Sequence, residues 1–543
     1  MKYLFLILKK YKRVVITNIL LGLSATVLSL LSVFTMQKAI DMAASGMRQY
    51  IFTAVSLLAL IAVFEIIAKA FRSWQKNYKQ AEIKCCIREY LIKRILGAQW
   101  QGKNSLHSGE IMNRLQVDVN NVASFTIDLL PSMLSTAFMM LGAFAYLYLL
   151  DKTLALITIA IAPVLILLSR RYVVKMRRLF SLVRFSEGRV GSFIQETIEK
   201  ETIIKALQAG KETLNRLSTR FDRQMSNVKR RTRFSILSNS VVGGAFMIVN
   251  IFAFLWGALR MSDGTLTFGG MVAFLQLVMR IQGPTRDIAK LMPSFSEALA
   301  ASSRIKELDY YSQEVINKVY KLKNSNVGIA ARDLTFSYSN NGIYVLNHLT
   351  FDFKPSTFNV IVGETGVGKT TLIRLILGLA KPNGGSIEIY DDNGRYSISP
   401  AVRSYMAYVP QGNSLLSGTI RDNLLLACPK ASNAQLRQAL LTAQAGFVFD
   451  LPDGILTRVG EMAVGLSEGQ AQRVAIARAL LMEAPLLVMD EAASALDPVT
   501  EESLLSCLKP LNKTIILVSH RPRALFVADN ILELKACALP GSD

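Results

Sequence analysis

The stretch GETGVGKT, Gly363 to Thr370, fills every fixed position of a phosphate-binding loop. It follows the apolar run FNVIV and precedes TLIRLILGL, so a strand delivers the loop and a helix leaves it. In that setting the glycines let backbone N–H groups curl around phosphates, the Lys369 ammonium reaches the β- and γ-phosphates, and the Thr370 hydroxyl binds Mg²⁺. The residues expected to touch a nucleotide here are Gly363, Glu364, Thr365, Gly366, Val367, Gly368, Lys369, Thr370 and Thr371. A glycine-rich turn without a ligand is the alternative, and the order strand, loop, helix weighs against it.

Two further apolar runs end in polar residues. LLVMDE, Leu486 to Glu491, reads as a buried parallel strand that delivers two carboxylates to the C-terminal edge of a sheet. Asp490 is then placed to hold Mg²⁺ through water, and Glu491 to polarise an attacking water. Taken alone, so short a run favours an ordinary strand followed by an acidic turn; the phosphate loop upstream reverses that and decides for the functional reading. TIILVSH, Thr514 to His520, is a second such strand, and it ends in one of only three histidines. A histidine at a strand end is commonly structural, but this edge is where open α/β sheets bind ligands.

GLSEGQ, Gly465 to Gln470, opens an amphipathic helix: Ser467 and Gln470 form a capping box, and the glycines Gly465 and Gly469 admit a ligand to the positive helix end. An ordinary capped helix explains the same residues. Glu468 suits the dipole of a first turn but would repel an anion, so its side chain is expected to point away.

At 543 residues the chain exceeds one ordinary domain, and 51% hydrophobic content is high for a wholly soluble protein. Apolar runs of spanning length fall at about 14–40, 50–70, 129–150, 153–169, 236–259 and 268–281, the last interrupted by Gln276 and Arg280. Glu65 and Lys69 lie one turn apart in the second run, where they are expected to pair or face water unless both snorkel. The connections 71–128 and 170–235 are long and rich in Lys and Arg, which places them and both termini in the cytoplasm and predicts helices that continue past the bilayer. The formal net charge of +22 belongs to these membrane-flanking segments, RRYVVKMRRL among them, and no nucleic-acid-reading motif accompanies it. The five cysteines, Cys85, Cys86, Cys428, Cys507 and Cys537, fit neither a disulfide framework nor a metal spacing and read as reduced thiols. The expected organisation is an all-α six-helix membrane domain over 1–308, a linker over 309–327, and an α/β nucleotide-binding domain over 328–543.

With these pieces in order, the second half closely resembles the nucleotide-binding domain of ATP-binding cassette transporters, and the whole chain resembles a half-transporter of the six-helix exporter type. LSEGQ corresponds to the family's signature sequence, usually LSGGQ, with Glu468 the departure. The resemblance implies that Tyr338 in FSY stacks on adenine, that Gln411 in YVPQ links Mg²⁺ to the membrane domain, and that His520 senses the γ-phosphate. It also implies that SALD, Ser494 to Asp497, crosses between two cassettes, and that Ser467, Gly469 and Gln470 face the nucleotide of the other one. TRVGE, Thr457 to Glu461, resembles the segment that contacts intracellular loops, while Ser108 to Val119 and the stretch around Glu196 to Leu207 resemble the first and second coupling loops. The implied activity is ATP-driven, Mg²⁺-dependent export or flipping of a substrate across a bacterial-type cytoplasmic membrane. The implied partners are the lipid bilayer, a second copy in a homodimer, and an unidentified cargo; nucleic acid is not among them. A membrane ATPase that regulates a partner without carrying cargo is the alternative, and lipid, hydrophobic drug, peptide and glycoconjugate all stay open.

Overall fold

The computed structural model describes residues 2–100, 108–314, 322, 327–338, 344–460 and 465–535; for 2, 3, 48, 108, 154, 157–173, 177 and 282–293 it describes backbone alone. The chain divides into two compact units, Met1–Ile95 with His107–Tyr310, and Leu96–Leu106 with Tyr311–Asp543.

Helices joined by short turns make up the first unit among its described residues. Its elements are α1 (Lys2–Lys10), α2 (Lys12–Ala44), α3 (Arg48–Leu96), α4 (Ser108–Asn113), α5 (Val119–Ser124), α6 (Leu130–Leu150), α7 (Lys152–Glu199), α8 (Glu201–Ala206), α9 (Gly210–Ser262) and α10 (Phe268–Asp309). Two π-helical turns, Arg114–Asp118 and Phe125–Leu129, join α4, α5 and α6 into one rod, so the stretch expected to be the first coupling loop is helical from Ser108 onward. Buried side chains fix that stretch: Asp118 receives both arms of Arg304 at 2.6 and 2.7 Å, and Arg114 binds Glu110 and Glu307 at 2.7 Å each. Around the second expected coupling stretch, α8 is a short helix between two long ones.

Among the described residues four helices are long and apolar enough to cross a membrane: Lys12–Ala44, Gln49–Leu96, Gly109–Leu150 and Gly210–Ser262. They contain the expected spans 14–40, 50–70, 129–150 and 236–259. Phe268–Ile281 is a shorter apolar helix at the head of α10, and most side chains of span 153–169, within α7, lie outside the described residues. α9 has 53 residues, about 80 Å at 1.5 Å per residue, against a hydrocarbon layer of about 30 Å. Such a helix must continue well beyond the bilayer. Apolar side chains such as Phe64, Ile66 and Ile67 stay exposed on α3, whereas Phe274, Leu277 and Leu147 form an internal cluster. Gly22 lets α2 and α6 touch: a Cβ there would come within 2.0 Å of Ser135 Oγ. Lys69 donates to Glu65 one turn away, so the two charges pair on the helix surface.

The second unit carries two sheets. One is antiparallel, in the order β2 (Leu346–Phe353), β1 (Gly328–Phe336), β4 (Gly384–Asp391), β5 (Gly394–Ser397). The other is parallel, in the order β11 (Asn530–Glu533), β3 (Phe358–Val362), β10 (Thr514–Val518), β9 (Leu486–Asp490), β6 (Met406–Val409). A short pair, β7 (Gly418–Thr419) and β8 (Arg458–Val459), stands apart. The helices are α11 (Lys369–Ile376), α12 (Ile420–Leu425), α13 (Asn433–Thr442), α14 (Glu468–Leu480), α15 (Pro498–Leu508) and α16 (Pro522–Val527).

The parallel strands read as unbroken apolar runs because both faces are covered. Leu486, Val488, Ile516 and Val518 pack toward α11 and the antiparallel sheet, while Leu487, Met489, Ile515 and Leu517 pack toward α13, α14 and α15. The expected linker falls partly on 315–321 and 323–326, outside the described residues, as do Glu461 and Cys537. The remaining four cysteines are free thiols.

Candidate functional site

Register brings the polar residues to one edge. Val518 stands beside both Ile361 and Asp490, and Met489 beside Val409, so β3, β10, β9 and β6 all end at the same level. Each of these strands runs into a candidate: the phosphate loop comes after β3, His520 after β10, Glu491 after β9 and Gln411 after β6.

The phosphate loop turns through three glycines with φ of +150° at Gly363, +89° at Gly366 and +111° at Gly368, values that L side chains rarely adopt. A Cβ on Gly366 would meet nothing within 4 Å, so that loop position is open to a ligand. Gly368 caps α11 with no side-chain hydrogen bond, which leaves the N–H groups of its first turn for an anion. Lys369 is buried; its Nζ donates to the Gly363 and Glu364 carbonyls, the latter at 3.0 Å, and to His520 Nε2 at 2.7 Å. An ammonium has no acceptor, so the ring presents its Nε2 lone pair.

Next to this pair, Gln411 Nε2 donates to Glu491 Oε2 at 2.6 Å. Glu491 holds φ of +50°, a conformation that costs a non-glycine residue about 1–3 kcal/mol and persists where the surroundings impose it. Its N–H donates to the Val518 carbonyl at 3.2 Å, which keeps the turn tied to β10. Asp490 is 2% exposed, and burial pushes its carboxyl above the ordinary range; Thr370 opposes this with a hydrogen bond, Glu491 adds to it, and Arg374 and Lys369 counter it. Burial also pushes the nearby Tyr408 phenol up to about 12.

This donor set fits a nucleotide with Mg²⁺. Among the described residues no three His, Cys, Asp or Glu side chains form a metal cluster. A buried carboxylate bonded to a hydroxyl is what a hard cation that keeps its waters and takes phosphate oxygens requires.

The signature helix begins as expected. Ser467 Oγ accepts from the Gln470 N–H at 3.2 Å, and Gln470 Oε1 accepts from the Ser467 N–H at 2.9 Å. Glu468 is exposed and has no partner among the described residues. Gly469 has a local reason to be glycine, because a Cβ would come within 2.7 Å of the Ala495 carbonyl oxygen in the SALD turn. Within that turn Asp497 caps α15, accepting from the Val499 and Thr500 N–H groups, and the bonds from Thr500 first of all hold its carboxyl low.

Three residues at this site escaped the sequence reading. Arg521, next to His520, donates to the Ser494 and Leu496 carbonyls and to buried Glu501, so it ties the turn that carries His520 to the SALD turn. Arg374 donates to Tyr338 Oη at 2.8 Å, and Thr371 Oγ1 shares a 2.9 Å hydrogen bond with the same hydroxyl. Trp100 lies edge-on to the Tyr338 ring at 6.2 Å, with the Arg374 guanidinium 4.8 Å over its own ring. Arg374 sits at i+3 from Thr371 on α11 and was open to detection by that spacing. No local pattern announces Trp100, which is 238 residues from Tyr338 in the chain.

Comparison with known proteins agrees with this geometry. Residues 15–285 match the ABC transporter transmembrane region, and residues 346–494 match the ABC transporter family. An uncharacterized ABC transporter ATP-binding protein of Sinorhizobium fredii is 30% identical over 79% of this chain and 74% of its own length. A putative export ATP-binding/permease protein of Rickettsia prowazekii is 28% identical over 97% of this chain and 92% of its own. The structure of a bacterial Atm1-family ABC exporter with ATP bound superposes with a TM-score of 0.82 at 22% identity, covering 97% of this chain and 94% of that one. The chain therefore belongs to the ATP-binding cassette transporter family, as a multi-pass membrane half-transporter of the exporter fold with an ATP-hydrolysing unit fused to its membrane helices.

Proposed function

We propose that two copies of this chain form a symmetric homodimer in the cytoplasmic membrane, with the nucleotide-binding units in the cytoplasm, and export or flip a cargo at the expense of Mg²⁺-ATP. The observation that carries this reading is the convergence at one sheet edge, within one chain, of Lys369 with His520 and Gln411 with Glu491. Nothing needed for hydrolysis is left for a different partner to supply, and closed two-fold pairing is the usual arrangement of identical subunits.

In this reading Tyr338 stacks on adenine, and the loop from Gly363 to Thr371 binds the phosphates through backbone N–H groups and the Lys369 charge. Thr370, Asp490 and Gln411 would hold Mg²⁺, Asp490 through water; the ion supplies charge neutralisation on the phosphate oxygens. Glu491 is the general base. Its carboxylate accepts from Gln411, whose amide keeps it aimed and leaves lone pairs for a water proton. His520 accepts from Lys369 without nucleotide; once that ammonium turns to the phosphates, the ring is free to take the tautomer whose Nε2–H donates toward developing charge. Ser467, Gly469 and Gln470 close on the nucleotide held by the other copy, and Asp497 positions the turn that crosses between them. Glu468 faces outward and takes no part.

The test is ATP-dependent uptake into inverted vesicles that contain only this chain. Uptake of a cargo that also stimulates hydrolysis supports the reading. Hydrolysis that no cargo in a broad lipid, drug and peptide screen stimulates, joined to binding of a regulatory partner, contradicts it.

A further inference from the structure

Beyond the expected spans α7 and α9 pack along one another, and a groove of about 490 Å³ opens between them. Pockets of a few hundred Å³ hold small organic ligands. Gly188 lines the groove, and a Cβ there would meet nothing within 4 Å, so the packing of the helices leaves that space empty. Two arginines wall it. The Arg189 guanidinium lies 5.7 Å from the centroid of the Phe185 ring on α7, and Arg220 reaches across from α9 to lie 3.9 Å over the ring of Phe193.

The charges around the groove do not cancel. Arg184 meets Glu297 of α10 at 3.1 Å, and Glu196 meets Lys200 at 3.4 Å. Arg189 and Arg220 have no carboxylate partner among the described residues; Arg220 donates to the Arg216 carbonyl at 3.4 Å, and Arg189 makes no such bond. A guanidinium laid over a phenyl ring engages it through its flat face, and its N–H groups, which lie in the plane, stay free to take an oxyanion two at a time. Phe185 is 65% exposed beside them. An anion that carries its own flat ring answers both features: the ring covers the aromatic faces, and the anion fills the guanidinium forks.

Distance from the bilayer selects a soluble ligand. At 1.5 Å per residue, Arg189 lies roughly 30 Å along α7 past the end of the expected span at residue 169, whereas the headgroup layer is only about 5–8 Å deep. Lipid headgroups do not reach that far.

We propose that this groove is a binding site for a water-soluble aromatic phosphate of mononucleotide size, held by Arg189 and Arg220 through its phosphate and by Phe185 and Phe193 through its ring. One ligand then bonds both helices, and it clamps together the two long rods that α8 joins. The site shares no residue with the phosphate loop and stands whatever that loop binds.

Flavin mononucleotide is the probe, since it joins a flat fluorescent ring to one phosphate; riboflavin carries the ring alone and inorganic phosphate the anion alone. The full chain is titrated in nanodiscs of zwitterionic lipid with excess MgADP present, flavin quenching reads binding, and phosphate is read by competition. Flavin mononucleotide is expected to bind at least about tenfold more tightly than either fragment. Arg189→Gln and Arg220→Gln each weaken it roughly tenfold. Gly188→Leu fills the groove with no clash inside the helix and improves helix propensity, so binding is lost while the melting temperature does not fall. No binding to the parent, riboflavin or phosphate bound as tightly as the whole probe, or binding that survives Gly188→Leu overturns the site. Binding unchanged in both arginine variants overturns it as well.

Discussion

The nucleotide-binding unit and the membrane unit spend their polar groups in opposite ways. In the former, side chains from distant parts of the sequence bond one another across a single sheet edge: Lys369 with His520, Gln411 with Glu491, Thr370 with Asp490. In the latter, polar groups within the spans mostly bond back to their own helix, as Thr26 does to the Gly22 carbonyl, Thr35 to Leu31, and Lys69 to Glu65. A site built from cross-element bonds states its chemistry. A membrane helix satisfies its polar atoms locally where neither lipid nor an apolar neighbour offers a partner, and that says little about cargo.

If the first half of that contrast holds, the largest effect comes from the proposed general base. Glu491→Gln keeps the shape and the contact with Gln411 but loses the basic oxygen; hydrolysis falls by roughly 10²- to 10⁴-fold while ATP still binds, as phosphate release and nucleotide retention measured together will show. Lys369→Ala is expected to weaken nucleotide binding itself by roughly 10- to 100-fold, the loss of one charge-assisted contact, read by equilibrium binding. Unchanged affinity would move the phosphate site elsewhere.

Asp490→Asn separates function from stability. The folded-state pKa of Asp490 is raised chiefly by burial, so above the unfolded pKa the ionised carboxylate opposes folding, and that penalty fades as pH falls through the ordinary Asp range. The amide removes the penalty at neutral pH: the melting temperature rises by about 3 °C while Mg²⁺-dependent hydrolysis is lost. A lower melting temperature would mean that the carboxylate's bonds outweigh its desolvation.

The signature supplies a paired test of smaller size. Gly469→Ala drives a Cβ to within 2.7 Å of the Ala495 oxygen, and the strain is expected to destabilise the unit by about 1–3 kcal/mol, measured by denaturant titration. Glu468→Gly, next to it, is expected to leave turnover within about threefold of the parent, because surface substitutions away from such contacts fall within about ±0.5 kcal/mol. A strong rise in turnover would mean that Glu468 impairs the site.

The same contrast explains what could be read in advance. β3, β9 and β10 were legible because strands buried on both faces must be apolar along their whole length, and the phosphate loop because its glycines carry φ values only glycine tolerates. The capping box of Ser467 and Gln470 is local in sequence and needed no tertiary knowledge. Trp100 and Arg521 were not legible, since their partners lie far along the chain and an arginine or tryptophan alone fits many environments. Helix through 108–119 fits the expectation for the connection 71–128, but the pairing of Asp118 and Arg114 with α10 that fixes it there was not legible, because those partners lie nearly 190 residues away.

Purifying this chain alone into nanodiscs, weighing the assembly and assaying its ATP hydrolysis tests the central claim most directly. Two identical copies that hydrolyse ATP, and stop doing so when both carry Glu491→Gln, are the predicted result. A chain that stays single, or hydrolyses nothing until a second and different half-transporter is added, would contradict it.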